Sequence, residues 1–125
     1  MLKTIQTRKA PEAIGTYSQA VYAGNILFIS GQIGLEPSSM KLKKSFSEQA
    51  NQIFDNLGLI AEEAGSSRNS IVKLTVFLLS LDNFSELNQI MARYFDAPYP
   101  ARSAVGVSEL PKGALIEVEA IVKIK

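Results

Sequence analysis

Any chemistry this chain performs is done without histidine or cysteine, because its 125 residues contain neither. That excludes an imidazole base, a Ser-His-Asp triad, a thiolate nucleophile, a disulfide and the usual zinc sites. Carboxylates, hydroxyls, lysine, tyrosine, arginine and backbone groups remain. The most informative pair is Arg102, in Tyr99-Pro100-Ala101-Arg102-Ser103-Ala104-Val105-Gly106-Val107, and Glu117, in Leu115-Ile116-Glu117-Val118-Glu119. A guanidinium grips a carboxylate through two parallel N–H···O bonds, and a carboxylate can orient or deprotonate a water. If Val105 and Val107 face the core, strand alternation puts Arg102 on the opposite face, where Glu117 also points. The simpler use of such a pair is an ion pair between subunits, with Glu119 as an alternative partner.

Weaker candidates surround this pair. Tyr17 ends the polar stretch from Glu12 to Thr16 and could wall a cavity. Ser30 could donate a hydrogen bond, and Gly31 could let a ligand approach the backbone; a plain turn explains both equally well. Asn88 borders the apolar stripe of a helix, within reach of a nearby loop. Arg8, Arg68 and Arg93 read as solvated, as does the cluster Lys41, Lys43 and Lys44.

The elements that must position these residues are legible from periodicity. Candidate strands run over Leu2–Gln6, Ala20–Ala23 and Ile26–Gly31, the last two joined at Gly24-Asn25 as a tight hairpin. Ser45 and Glu48 form a capping box before a helical stripe from Phe46 to Ala64, which Gly65 terminates. Gly58 inside that helix costs about 1 kcal/mol relative to alanine, which suggests close packing there. Val72–Leu79 reads as a buried strand. Asp82 is the expected N-cap of a second helix, stopped by Pro98. Ser103–Val107 and Leu115–Ile124 complete the order β-β-β-α-β-α-β-β, an α+β domain spanning 1–125 with a mixed six-stranded sheet.

With both helices on one face of that sheet, Phe77, Leu79, Leu115 and Ile121 point to the other, where nothing in the chain can bury them. That predicts an obligate homo-oligomer. Thirteen Lys+Arg against twelve Asp+Glu leave a net charge of +1, too little to gather nucleic acid or an anionic membrane. No signal peptide and no run of the roughly 20 apolar residues that span a bilayer are visible, so the expected location is cytoplasmic.

Four segments, Ala13-Ile14-Gly15-Thr16-Tyr17-Ser18-Gln19-Ala20, Leu27-Phe28-Ile29-Ser30-Gly31-Gln32, Pro100-Ala101-Arg102-Ser103 and Ile116-Glu117-Val118-Glu119-Ala120, resemble the Rid family of reactive intermediate deaminases (RidA/YjgF type). The resemblance runs in order along nearly the whole chain. It implies a chorismate mutase-like fold, a homotrimer with clefts between subunits, and hydrolysis of enamines and imines such as 2-aminoacrylate to 2-keto acids and ammonia; because a 2-imino acid is already electrophilic, no cofactor or metal is expected. By motif, Arg102 resembles the arginine that binds the substrate carboxylate, and Glu117 the acid that positions water. Tyr17, Ser30, Gly31 and Asn88 match cleft-lining positions. Thr16 stands where many members have proline, and Ala104 where many have cysteine. Two other classes compete: a trimeric sensor of small carboxylates without turnover, and a ribonuclease or translation inhibitor, which near-neutral charge and the lack of histidine disfavour.

Overall fold

A computed structural model describes residues Met1–Lys125. In chain order the elements are β1 (Thr4–Ile5), β2 (Ala20–Ala23), β3 (Ile26–Gln32), α1 (Phe46–Glu63), β4 (Ile71–Leu78), α2 (Phe84–Tyr94), β5 (Ala101–Gly106) and β6 (Ile116–Lys123). They form one six-stranded sheet in the order β1-β2-β3-β6-β4-β5. Only β4 and β5 pair in parallel; every other neighbouring pair is antiparallel. The expected α+β class, strand count and helix placement all hold.

Packing follows the predicted alternation in the centre of the sheet. Leu74, Val76 and Leu78 of β4 and Ile116, Val118 and Val122 of β6 are buried with the apolar stripes of both helices in a single core. Phe54 anchors it, with ring centroids 5.3 Å from Tyr94 and 5.7 Å from Phe95. The α1 capping box forms as expected: Ser45 Oγ accepts from the Glu48 amide, and Glu48 accepts from the Ser45 amide. Gly65 follows the helix in a left-handed conformation at φ 77°.

The other face is not covered by either helix. Phe28 and Val105 lie on it 47% and 45% exposed, in rows with Ile121 and Phe77 respectively. Fully burying side chains of this size is worth about 1.5–3 kcal/mol each, so this face favours a covering partner.

Several expectations are corrected. Asp82 is not an N-cap: it lies in a 3₁₀ turn over Leu81–Asn83, where Ser80 Oγ accepts its amide, and Asn83 precedes α2. The helix ends when Phe95 turns extended, before Pro98 is reached. Strand β5 starts at Ala101 rather than Ser103, and β1 is only two residues long.

The largest correction concerns the face of Arg102. Pairing of β5 with β4 sets Arg102 beside Leu74 and Ala104 beside Val76, on the helix side, while Val105 sits beside Phe77. Phe77 in turn pairs with Glu117. Arg102 and Glu117 therefore lie on opposite faces of the sheet within one chain. The assumption that the valines point inward fails because β5 is an edge strand beside the end of the helix layer. There a long side chain covers apolar surface with its methylenes while its charge stays wet.

Two glycines on α1's contacts differ in what they tolerate. A Cβ on Gly34 would lie 2.5 Å from the Cα of Gln49, a backbone atom. Gln49 cannot yield, because its side chain is buried with Nε2 donating to the Lys43 carbonyl (2.9 Å) and Oε1 accepting from the Leu115 amide (2.8 Å). A Cβ on Gly58 would meet Arg68 Nη1 at 2.8 Å. Arg68 is thus not simply solvated: its guanidinium stacks 4.8 Å over the Tyr94 ring, and its buried Nε has no partner. Gly34→Ala should cost about 1–3 kcal/mol through overpacking. Gly58→Ala should stay within about 1 kcal/mol of wild type, because gained helix propensity offsets a displaced, flexible arginine. Urea unfolding at one protein concentration checks both; equal losses would contradict the assignment of these contacts.

Candidate active site

Glu117 occupies the open face of β6 where β3 departs from regular pairing. Ile29 pairs with Ala120 and Gln32 with Val118, so Ser30 and Gly31 together oppose the single residue Glu119. Such a bulge kinks the strand and re-aims its groups. Here it brings the backbone of Gly31 against the Glu117 carboxylate: a Cβ at Gly31 would lie 2.7 Å from Oε2 and 3.0 Å from Cδ. Only glycine leaves room for that acid. A cavity of about 570 Å³ opens beside it, bounded in part by Tyr17, Ser30, Gly31 and Glu117.

The Glu117 carboxyl is held above its ordinary pKa, first by burial and second by the charge of Glu119 on the same face. Glu119, an alternative partner for Arg102 by sequence, instead acts on Glu117 as a like charge. No Arg102 ion pair with either acid exists within the chain; its one salt bridge joins Lys43 Nζ to Glu36 Oε2 at 3.5 Å.

Ser30 contributes differently from expectation. Its hydroxyl hydrogen is committed to the Ser18 carbonyl, so the oxygen faces its surroundings as an acceptor. Gln19 is a residue that sequence reasoning passed over. Buried at 3% exposure, it accepts the Thr7 amide at Oε1 (2.7 Å) and donates from Nε2 to the Thr7 and Pro11 carbonyls (3.0 and 2.7 Å). This clamp holds the irregular stretch that delivers Tyr17 to the cavity, with the Tyr17 hydroxyl accepting the Ile14 amide at 3.4 Å. An uncharged polar residue just before a strand, following a segment with no ladder of its own, was the available signal.

Arg102 lies elsewhere, in a second cavity of about 470 Å³ with Asn88, Met91, Tyr99 and Pro100. Its Nη1 donates to Asn88 Oδ1 at 2.7 Å and touches Met91 Sδ at 3.5 Å, and its Cζ sits 5.0 Å from the centroid of the Phe84 ring. One edge of the guanidinium is pinned, and its other N–H groups have no partner in the chain. That is a preorganised grip for a planar carboxylate. Asn88, read by sequence as within reach of a nearby loop, thus bonds the arginine, and Phe84 and Met91, read only as core residues, also contact it.

Six sequence-derived residues fall into two clusters. Tyr17, Ser30, Gly31 and Glu117 line one cavity; Asn88 and Arg102 line the other. No three carboxylates converge in a way that could hold a metal ion. No helix is long and apolar enough to cross a membrane.

The family model described as endoribonuclease L-PSP matches residues 7–124. A mouse protein named 2-iminobutanoate/2-iminopropanoate deaminase is 47% identical over 120 residues, 95% of this chain and 89% of its own. The crystal structure of RidA from the Antarctic bacterium Psychrobacter superposes with a TM-score of 0.95 at 50% identity, covering 98% of this chain and 99% of that one. Escherichia coli TdcF, solved with bound serine, gives a TM-score of 0.94 at 39% identity, over 98% and 99% of the two chains. A family model spanning almost every residue, and near-complete matches at these identities, leave one conclusion: the chain belongs to the Rid family.

Proposed function

We propose that this protein hydrolyses reactive 2-imino and 2-enamino acids, such as 2-aminoacrylate, to 2-keto acids and ammonia, with residues 1–125 acting as one Rid-type unit. The observation that carries this reading is the pair of half-sites: an acid with a raised pKa beside a bulge, and a pinned arginine with free N–H groups. Relatives named for this deaminase activity support the reaction class. In this reading Arg102, oriented by Asn88, binds the substrate carboxylate. Glu117, with backbone groups near Ser30 and Gly31, orients the water, and Tyr17 walls the cleft.

The chemistry suits the side chains available. The C2 carbon of a 2-imino acid is already electrophilic. Water forms the new C–O bond there, the C=N bond becomes single, and the resulting carbinolamine loses ammonia to leave the keto acid. Glu117 accepts the proton from water and returns one to the departing nitrogen, so protons balance. A carboxyl whose pKa is raised toward neutrality serves both steps better than an ordinary one. Positioned acid–base assistance of this kind supplies on the order of 10²–10⁴ in rate.

The same reading needs more than one copy of the chain. Arg102 and Glu117 lie on opposite faces, and the face bearing Glu117 exposes Phe28 and Val105. A homotrimer that covers this face and completes each cleft with the neighbour's Arg102 satisfies both facts, and we propose that it works in this form in the cytoplasm. The ribonuclease reading suggested by the family model's description lacks support in the residues: net charge is +1 and no histidine is present.

Three outcomes test this. Arg102→Ala should lower kcat/KM for 2-iminobutanoate roughly 100-fold or more, the loss of two charge-assisted hydrogen bonds, with the oligomer intact by light scattering. Retained activity removes Arg102 from the mechanism. Co-refolding Arg102→Ala with Glu117→Gln chains should restore about a quarter of wild-type activity, because about three-quarters of random trimers are mixed and each has one intact cleft in three. No recovery would mean that each site lies within one subunit.

The third outcome concerns pH. The fold disfavours charged Glu117, so the native state holds a proton at pH values where the unfolded chain has released it. The resulting penalty is fully present above the raised folded-state pKa and absent below the ordinary value of 4.5. Glu117→Gln should therefore have the higher Tm at pH 7, with the advantage vanishing as pH falls below that ordinary value. An advantage independent of pH would separate it from ionisation.

A further inference from the structure

The chain has two non-glycine residues with left-handed backbone, Met40 at φ 59° and Lys112 at φ 57°. Both line the Glu117 cavity. L-residues adopt this conformation at a steric cost, and such strain persists only where surrounding packing dictates it and gathers at functional sites. The packing is identifiable. Ile33, Leu35 and Ala114 form a small buried cluster of their own, against which Met40, Leu42 and Leu110 pack. It anchors both the loop that carries Met40 and the 3₁₀ turn Pro111–Gly113 that carries Lys112. The Gly113 and Ala114 amides close that turn onto the Leu110 and Pro111 carbonyls at 3.3 and 3.0 Å.

Lys112 is also the only cation among the residues that line this cavity, whose other charged members are Glu12 and Glu117. It forms no salt bridge with either, and the turn leaves it exposed. A fixed backbone thus places an exposed lysine with no salt bridge in the lining of a cavity of about 570 Å³, more than a three- or four-carbon imino acid requires. Besides these charges, and with Glu117 half-buried, the lining includes the apolar side chains of Ile14, Ile33 and Leu35.

We propose that Lys112 forms a second anion subsite in this cleft and is a specificity-determining residue for ligands carrying a carboxylate at the end of the side chain, the 2-imino and 2-keto dicarboxylates. The inference rests on the reading of the cleft as an imino-acid site. Arg102 takes the carboxylate next to the reacting carbon, which all such substrates share. Lys112 takes the distal one. A flexible stem with a compact ammonium suits a ligand end whose position varies with chain length.

Binding of the stable keto acids tests the subsite without turnover. Titration calorimetry on the whole protein, with 2-oxoglutarate and 2-oxobutanoate as probes, gives the ratio of their affinities. Wild type should favour 2-oxoglutarate. Lys112→Gly removes the charge while keeping a residue at ease in left-handed backbone, so folding does not confound the result. It should reduce the ratio about tenfold, and Lys112→Glu should reduce it further, as expected for a hydrogen bond to a charged group. The wild-type ratio should also fall with added salt, because Lys112 is exposed. A wild type that does not favour 2-oxoglutarate, or a ratio unmoved by Lys112→Gly, overturns the subsite. Equal weakening of both ligands also overturns it, since Lys112 would then serve the shared carboxylate. Turnover of 2-iminobutanoate by wild type, measured separately, reports on the deaminase reading alone.

Discussion

Two helices can cover only one face of a six-stranded sheet, and that asymmetry governs the rest of this molecule. Every fully buried large side chain belongs to the covered face or to the helices themselves. The open face keeps apolar groups at its surface, including Phe28 and Val105. It also carries Glu117, so this acid sits on a surface with a hydrophobic reason to meet another chain. Arg102, one strand beyond β4, belongs to the covered side and is reached from the helix edge. A substrate that needs both groups needs two copies of the fold.

Local irregularities then shape the open face into a cleft. The bulge at Ser30-Gly31 lets a carboxylate lie against a backbone that any side chain would block. Burial there, reinforced by Glu119, favours the protonated acid. In the proposed deaminase reading, the less stable ionised state at this position comes with an acid–base group that titrates closer to neutrality. Gln19 and the small cluster around Ile33, Leu35 and Ala114 fix the segments that wall the cleft, none of which has a regular ladder of its own. In the loop walls, Gln19 satisfies the Thr7 amide and the Thr7 and Pro11 carbonyls, and the Met40 amide donates to the Glu36 carbonyl; paired backbone is the condition for a loop to hold geometry.

On the covered side the same economy applies to Arg102. Phe84, Asn88 and Met91 come from successive turns of α2, so one helix face supplies the ring beneath the guanidinium and the acceptor and sulfur at its edge. Arg68 repeats the arrangement on Tyr94 at the end of the same helix, where the phenol is pushed up to about 12 mainly by burial and next by Asp55. Arginine stacked on aromatic rings is thus used twice on α2, and Arg102 is the copy that lines a cavity with Asn88 and Met91.

The sequence by itself determined the element order, the capping box and the central strands' inward faces, and it singled out six candidate residues, four of which line one cavity and two another. Those features are written in nearest-neighbour periodicity and in motif, which a linear chain displays directly. What it left undecided lies where neighbours in space set the outcome: Asp82, which yielded to Ser80 as the local cap, and Arg68, hidden because Gly58 and Tyr94 come from two different helices. The face of β5 was decided only by its pairing with β4, since an edge strand of alternating small and mixed residues gives no hydrophobic preference strong enough to fix which way Arg102 turns. Tertiary structure alone therefore separated the arginine from the acid, because register across a sheet is a property of the partner strand and not of the strand itself.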